Sequence, residues 1–123
     1  MTEIFPKKFT KNRLSKGVKI SIQVSQEKKG EDIVILDMSE ISSFTDTFVI
    51  MHGSSSRHNL ALNESIEQEL KKANITPLSR EGLKTAEWIL MDYGDFIIHI
   101  FSKTAREYYS LEKLWRDAPK ITC

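Results

Sequence analysis

The chain has 123 residues, of which 40% are hydrophobic and 28% charged, a soluble composition long enough to bury one core without covalent staples. Its single cysteine, Cys123, excludes an internal disulfide and a Cys-x-x-Cys metal knuckle, which suits a reducing compartment. No apolar run approaches the roughly 20 residues needed to span a bilayer, and Met1 to Lys8 lacks the apolar segment of a secretory signal, so a cytoplasmic location is expected.

The net charge of +1 hides an asymmetry: residues 1–30 hold eight Lys/Arg against two acids, and residues 31–123 hold ten against fifteen. A basic arm is thus joined to an acidic body. Either the arm is a helix with a solvated lysine face, or the acidic body seeks a basic partner while the arm tolerates nucleic acid.

Residues 1–11 read as a flexible basic tail. From Asn12 to Lys29, Leu14, Val18 and Ile22 recur every four residues, which predicts an amphipathic helix stopped at Gly30. Asp32 to Met38 is a continuous β-branched run, read as a buried strand, and Asp46 to His52 is a second. Gly53-Ser54-Ser55-Ser56 supplies capping hydroxyls for a helix from Arg57 to Ala73, with Leu62, Ile66 and Leu70 on its apolar face. Leu78 to Thr85 reads as a loop. Two apolar strands follow, Thr85 to Asp92 and Phe96 to Phe101, joined by a tight Tyr-Gly-Asp turn. A third helix is predicted over Lys103 to Asp117, with Tyr108, Tyr109 and Trp115 assigned to core packing, and residues 119–123 are expected to fray. The expected architecture is α/β: one compact domain over residues 12–118, a mixed sheet with helices packed on it, in which the strands flanking the second helix lie parallel or one apart.

Candidate chemistry is sparse. Gly53 to His58 follows a strand and opens a helix, where an anion could sit, yet it lacks a P-loop pattern. It faintly resembles the Gly-Ser of nucleotidyltransferases, but Glu64 and Glu67 stand at helical i, i+3 spacing, the wrong arrangement for paired metal-binding acids. His52, His58 and His99 have neither the number nor the spacing of a zinc site and read as structural. No catalytic residue, metal or cofactor is assigned. Asp95 is given turn chemistry. Asp92 is grouped instead with Trp88 and Leu90, which share a face by the two-residue period of a strand: an aromatic anchor beside a carboxylate able to pair with Arg or Lys. The alternative is that Trp88 is simply core.

Four runs, in order, resemble the ribosomal silencing factor (Iojap-like) family from about Val18 to Ala118. They are Glu31 to Asp37; Thr45 to Ile50 leading into Gly53 to His58; Pro77-Leu78 with Glu81-Gly82 and Ala86 to Leu90; and Asp92 to Phe101 followed by Tyr109 to Trp115. The resemblance implies a nucleotidyltransferase-like fold without its catalytic acids. It also implies a translational repressor, not an enzyme, that binds the large ribosomal subunit through its universal protein numbered fourteen and blocks joining of the small subunit. The family's tryptophan and neighbouring acids map onto Trp88, Glu87 and Asp92, and Ser54 stands where many members have threonine. The expected contact surface is Trp88, Glu87, Leu90, Asp92, Tyr93, Glu81 and Gly82, with Ser54, Arg57 and His58 as a secondary contact. Peripheral contact with ribosomal RNA, no membrane, and a monomer or weak homodimer complete the expectation. The rivals are a divergent nucleotidyltransferase using Asp92 and Asp95 with Mg²⁺, and an RNA-binding module using the basic arm.

Overall fold

The computed structural model describes residues 14–123; the tail expected over residues 1–11 lies outside the described residues. The first helix, α1 (Lys16–Glu27), is capped by Ser15, whose hydroxyl accepts the Val18 N–H at 3.3 Å. Its buried face includes Gly17, Val18 and Ile22. Gly17 permits the closest approach, since a Cβ there would strike the Phe96 ring at 2.5 Å. Strands β1 (Glu31–Asp37) and β2 (Thr47–His52) pair antiparallel. Helix α2 (Ser56–Lys72) starts at Ser55, which accepts the His58 N–H at 3.0 Å, and buries Leu62, Ile66 and Leu70 as their spacing requires.

After α2 come β3 (Ser79–Glu81), β4 (Trp88–Asp92), β5 (Phe96–Phe101), α3 (Lys103–Tyr109), α4 (Leu111–Leu114) and β6 (Lys120–Thr122). The sheet order is β3-β4-β5-β2-β1-β6; β2 and β5 run parallel and every other neighbouring pair is antiparallel. β5 lies between β2 and β4, so the two strands that the sequence places around the second helix are one apart, one of the two arrangements expected, while the unforeseen β3 directly after α2 lies beyond β4 at the edge.

The mixed α/β sheet of one compact domain is as the sequence predicts, with four local differences. Ser79–Glu81, read as loop, forms the edge strand β3; three exposed polar residues give no apolar signal, and pairing with β4 alone defines them. The strand expected from Thr85 starts at Trp88, because buried Ala86 sits at φ +59° and breaks the extended run. The long third helix is two short ones, broken at Ser110, whose φ of 47° is left-handed. The end expected to fray is held: β6 pairs with β1 and Ile121 packs against the core.

The sheet separates two apolar layers. On one side α1 and α2 cover Ile33, Ile35, Val49, Met51, Ile89, Met91, Ile98 and Ile100. On the other, Val34, Leu36, Phe48, Ile50, Ile97 and Phe101 meet Ala105, Leu111 and Ala118, residues of or following the two short helices. Two short helices, of seven and four residues, cannot cover six strands, so part of this second face, toward β4, is left with half-buried Trp88 and Leu90 at its margin.

Candidate functional site

Strand register builds the second face in rows. Trp88 lies beside Phe101 and then His52; Leu90 beside His99 and then Ile50; Asp92 beside Ile97 and then Phe48. The indole of Trp88 is held from three sides. Its ring centroid is 4.9 Å from Phe101 and 4.6 Å from Tyr109, and its N–H donates to His99 Nδ1 at 3.1 Å. That bond fixes the neutral His99 tautomer with its proton on Nε2, which is buried without a hydrogen-bond partner; the ring meets Phe48 edge-on at 4.5 Å. Burial pushes His99 down to about 3, so it remains a neutral acceptor for the indole throughout the physiological range.

Trp88 is therefore neither free nor sealed. It is half-buried and pre-oriented, and its aromatic row continues outward through Tyr109 (48% exposed) to Tyr108 (80% exposed), whose rings meet edge-on at 5.0 Å. Helical spacing assigns Tyr108 and Tyr109 to core packing; instead, the break at Ser110 leaves Ala105 as the sole buried residue of α3, and both tyrosines are exposed. Trp115 is half-buried, as packing predicts. Nothing in residue type distinguishes the two tyrosines from core aromatics, so only the break could have revealed them.

The expected acidic companions divide. Glu87 is exposed, and its Oε1 accepts the Ser102 hydroxyl at 2.7 Å, tying the start of β4 to the cap of α3. Glu81 is exposed on β3, directly opposite Leu90. Asp92 is half-buried, and its Oδ1 accepts the Gly94 N–H at 2.8 Å, so the turn chemistry assigned to Asp95 belongs to Asp92. Asp95 is exposed and contributes its backbone carbonyl to the Asp46 N–H at 3.0 Å.

Two residues of the expected surface stand elsewhere. Tyr93 is buried on the helical side, stacked on Phe96 at 4.8 Å; burial pushes its hydroxyl up to about 12, and that hydroxyl has no partner. The two-residue period itself places it there, with Ile89 and Met91 and away from the face of Trp88. Gly82 is exposed at φ +81°, and a Cβ there would collide with the Trp88 carbonyl oxygen. Its place is to let the loop pass close under β4, where it sets the position of Trp88.

The expected secondary contact is largely a clasp. His58 Nδ1 accepts the Ser54 N–H at 2.9 Å, and Nε2 lies 2.8 Å from the Lys28 carbonyl, which joins the start of α2 to the end of α1. Arg57 is exposed beside it. His52, also buried, accepts from Arg106 Nη1 at 2.9 Å, and Arg106 makes a bidentate pair with Glu112 at 2.8 and 3.2 Å. Of the acids weighed for metal chemistry, Glu67 is engaged by the Arg80 guanidinium and Glu64 faces solvent. No group of three or more His, Cys, Asp or Glu able to hold a metal occurs among the described residues.

Known proteins share both the sequence and the fold. Residues 11–123 match the family model described as "Ribosomal silencing factor during starvation". "Ribosomal silencing factor RsfS" of Bacillus subtilis (strain 168) is 41% identical over 102 residues, covering 83% of this chain and 86% of that protein. "Mitochondrial assembly of ribosomal large subunit protein 1" of Mus musculus is 31% identical over 97 residues, covering 76% of this chain and 42% of that longer protein. A crystal structure of a Chromobacterium violaceum protein superimposes with a TM-score of 0.79 at 34% identity, covering 81% of this chain and 83% of that one. With the match running through both sheet faces and every described element, the chain belongs to the ribosomal silencing factor family.

Proposed function

We propose that this protein represses translation by docking on the large ribosomal subunit, through its universal protein numbered fourteen, and excluding the small subunit from the same surface. The observation that carries the reading is the face around Trp88: an indole held by His99, Phe101 and Tyr109, open on its remaining side, in a chain of the silencing-factor family. Aromatic anchors fixed before contact lose little conformational freedom on binding, and they dominate the energetics of protein interfaces. Glu81 and Glu87 on either strand margin, with Asp92 in register two residues from Leu90, favour a cationic partner surface. The name of the mouse relative, which concerns assembly of the large subunit, agrees with that partner.

Action is by occupancy. A docked body burying about 1,200–2,000 Å² would suffice for specific binding, and no bond need be made or broken. In each acid pair weighed for nucleotidyltransferase chemistry one member is engaged, Glu67 by Arg80 and Asp92 by the hairpin turn, while Glu64 and Asp95 face solvent.

The test is sedimentation of the protein with purified subunits on sucrose gradients. Co-migration with the large subunit, and loss of the joined ribosome peak as the protein is titrated, are expected. Migration with the small subunit, or full subunit joining at saturation, would refute the reading.

A further inference from the structure

A cleft of about 450 Å³ lies on the helical side of the sheet, away from Trp88. One wall is the flank of α2 turned away from α1, with Leu60, Glu64, Glu67 and Lys71 spaced along it; the other is Leu83, in the loop after β3. Leu60 is 41% exposed, an aliphatic side chain left at the mouth.

Asn63 lines this cleft. It is only 6% exposed, yet its carboxamide makes no hydrogen bond among the described residues and is not sealed from the cleft. Asn59, one turn earlier, is half satisfied: its Nδ2 donates to the Ala86 carbonyl at 2.8 Å, while its Oδ1 is buried without a partner. An amide taken from bulk water without a partner carries a cost, which is recovered when a partner arrives. A carboxamide donates and accepts side by side, the pattern complementary to a peptide group.

Beside the cleft the sheet ends. β3 pairs only with β4, so its outer edge has no neighbour among the described residues. Charged edge strands commonly repel added strands, but Arg80 is neutralised by Glu67, which anchors it to α2. Glu64 remains exposed on the rim. Spacing also agrees: Leu60 and Glu64 are separated by a helical rise of about 6 Å, and alternate side chains of an extended peptide by about 6.7 Å.

We propose that this cleft binds an extended peptide segment of a partner protein, laid along the outer edge of β3. An aliphatic side chain enters between Leu60 and Leu83, a Lys or Arg two residues on faces Glu64, and Asn63 clasps one peptide group. A second copy of the chain fits less well, because two-fold pairing of β3 with itself sets Arg80 against Arg80. The cleft itself lies on the face opposite Trp88, and the two surfaces meet only at β3, whose Glu81 stands opposite Leu90.

The probe is the blocked heptapeptide Gly-Ser-Leu-Ser-Lys-Ser-Gly, titrated into ¹⁵N-labelled protein and followed by NMR. Saturable shifts are expected at the Asn63 carboxamide and the Leu60, Leu83 and β3 amides, with the Trp88 indole resonance unmoved. Leu60→Ser and Asn63→Ala should each weaken binding about tenfold, with thermal stability unchanged, and Glu in place of the peptide's Lys should weaken it as well. Absence of saturable shifts at millimolar peptide, binding undiminished in both variants, or a concentration-dependent dimer lost in Leu60→Ser would each overturn the proposal.

Discussion

Replacing Trp88 by Ala separates what the indole does for the fold from what it does for a partner. In the free protein the substitution removes two aromatic contacts, at 4.6 and 4.9 Å, each worth about 0.5–1.5 kcal/mol beyond area burial. It also removes the indole N–H bond to His99, worth about 1 kcal/mol, and leaves His99 with neither ring nitrogen bonded. Because Trp88 is half-buried, the total should fall below the usual range for a core tryptophan, at about 2–3 kcal/mol. Urea unfolding measures that cost directly. Binding is read separately by co-sedimentation with large subunits at a temperature where the variant is fully folded. As a central anchor, Trp88 should contribute about 2 kcal/mol or more, a loss of roughly thirtyfold in affinity. Trp88→Phe keeps a ring against Phe101 and Tyr109 but has no N–H for His99, so it should retain more binding than Ala. A folded Trp88→Ala protein that binds large subunits as tightly as the parent would refute the assignment of this face.

Three further substitutions test the framework around that face. Gly82→Ala puts a Cβ against the Trp88 carbonyl at a positive φ, and a loss of about 2 kcal/mol or more is expected by thermal melting; a neutral result would mean that the loop shifts freely. His99 is held near pKa 3 when folded against 6.5 when exposed, so the unfolded chain binds the proton first as pH falls, and stability drops below about pH 6.5. Between pH 7 and 5 that amounts to about 2 kcal/mol in urea titrations; His99→Phe should remove this part of the slope, and an unchanged slope would contradict the burial argument. Deleting residues 120–123 removes the pairing of β6 with β1 and the packing of Ile121, so a stability loss of about 1–2 kcal/mol, read by urea unfolding, is expected in a chain that still folds. Equal stability would show that β6 adds nothing.

Elements whose signal is periodic are legible from the order of residues alone. The four-residue recurrence of Leu62, Ile66 and Leu70 and the β-branched runs of β1, β2 and β5 must segregate from water in one way, so helix, strand and layer follow from the order of residue types. The alternation Trp88, Leu90, Asp92 also survived, since a strand's two-residue period places all three on one face. Tertiary structure alone decided the rest, because those outcomes depend on contacts between residues distant in sequence. Ser79–Glu81 is a strand only because β4 is there to pair with it, and the C-terminal residues are ordered only because β1 offers an edge. Tyr108 and Tyr109 came outward because one left-handed residue, Ser110, ended their helix, whereas Tyr93 in the helical core with Ile89 and Met91 only follows the alternation of its strand. Whether the indole was core or surface was likewise undecidable from local pattern: it is half of each, and the bond from its N–H to His99, eleven residues away on the neighbouring strand, fixes the exposed half in place.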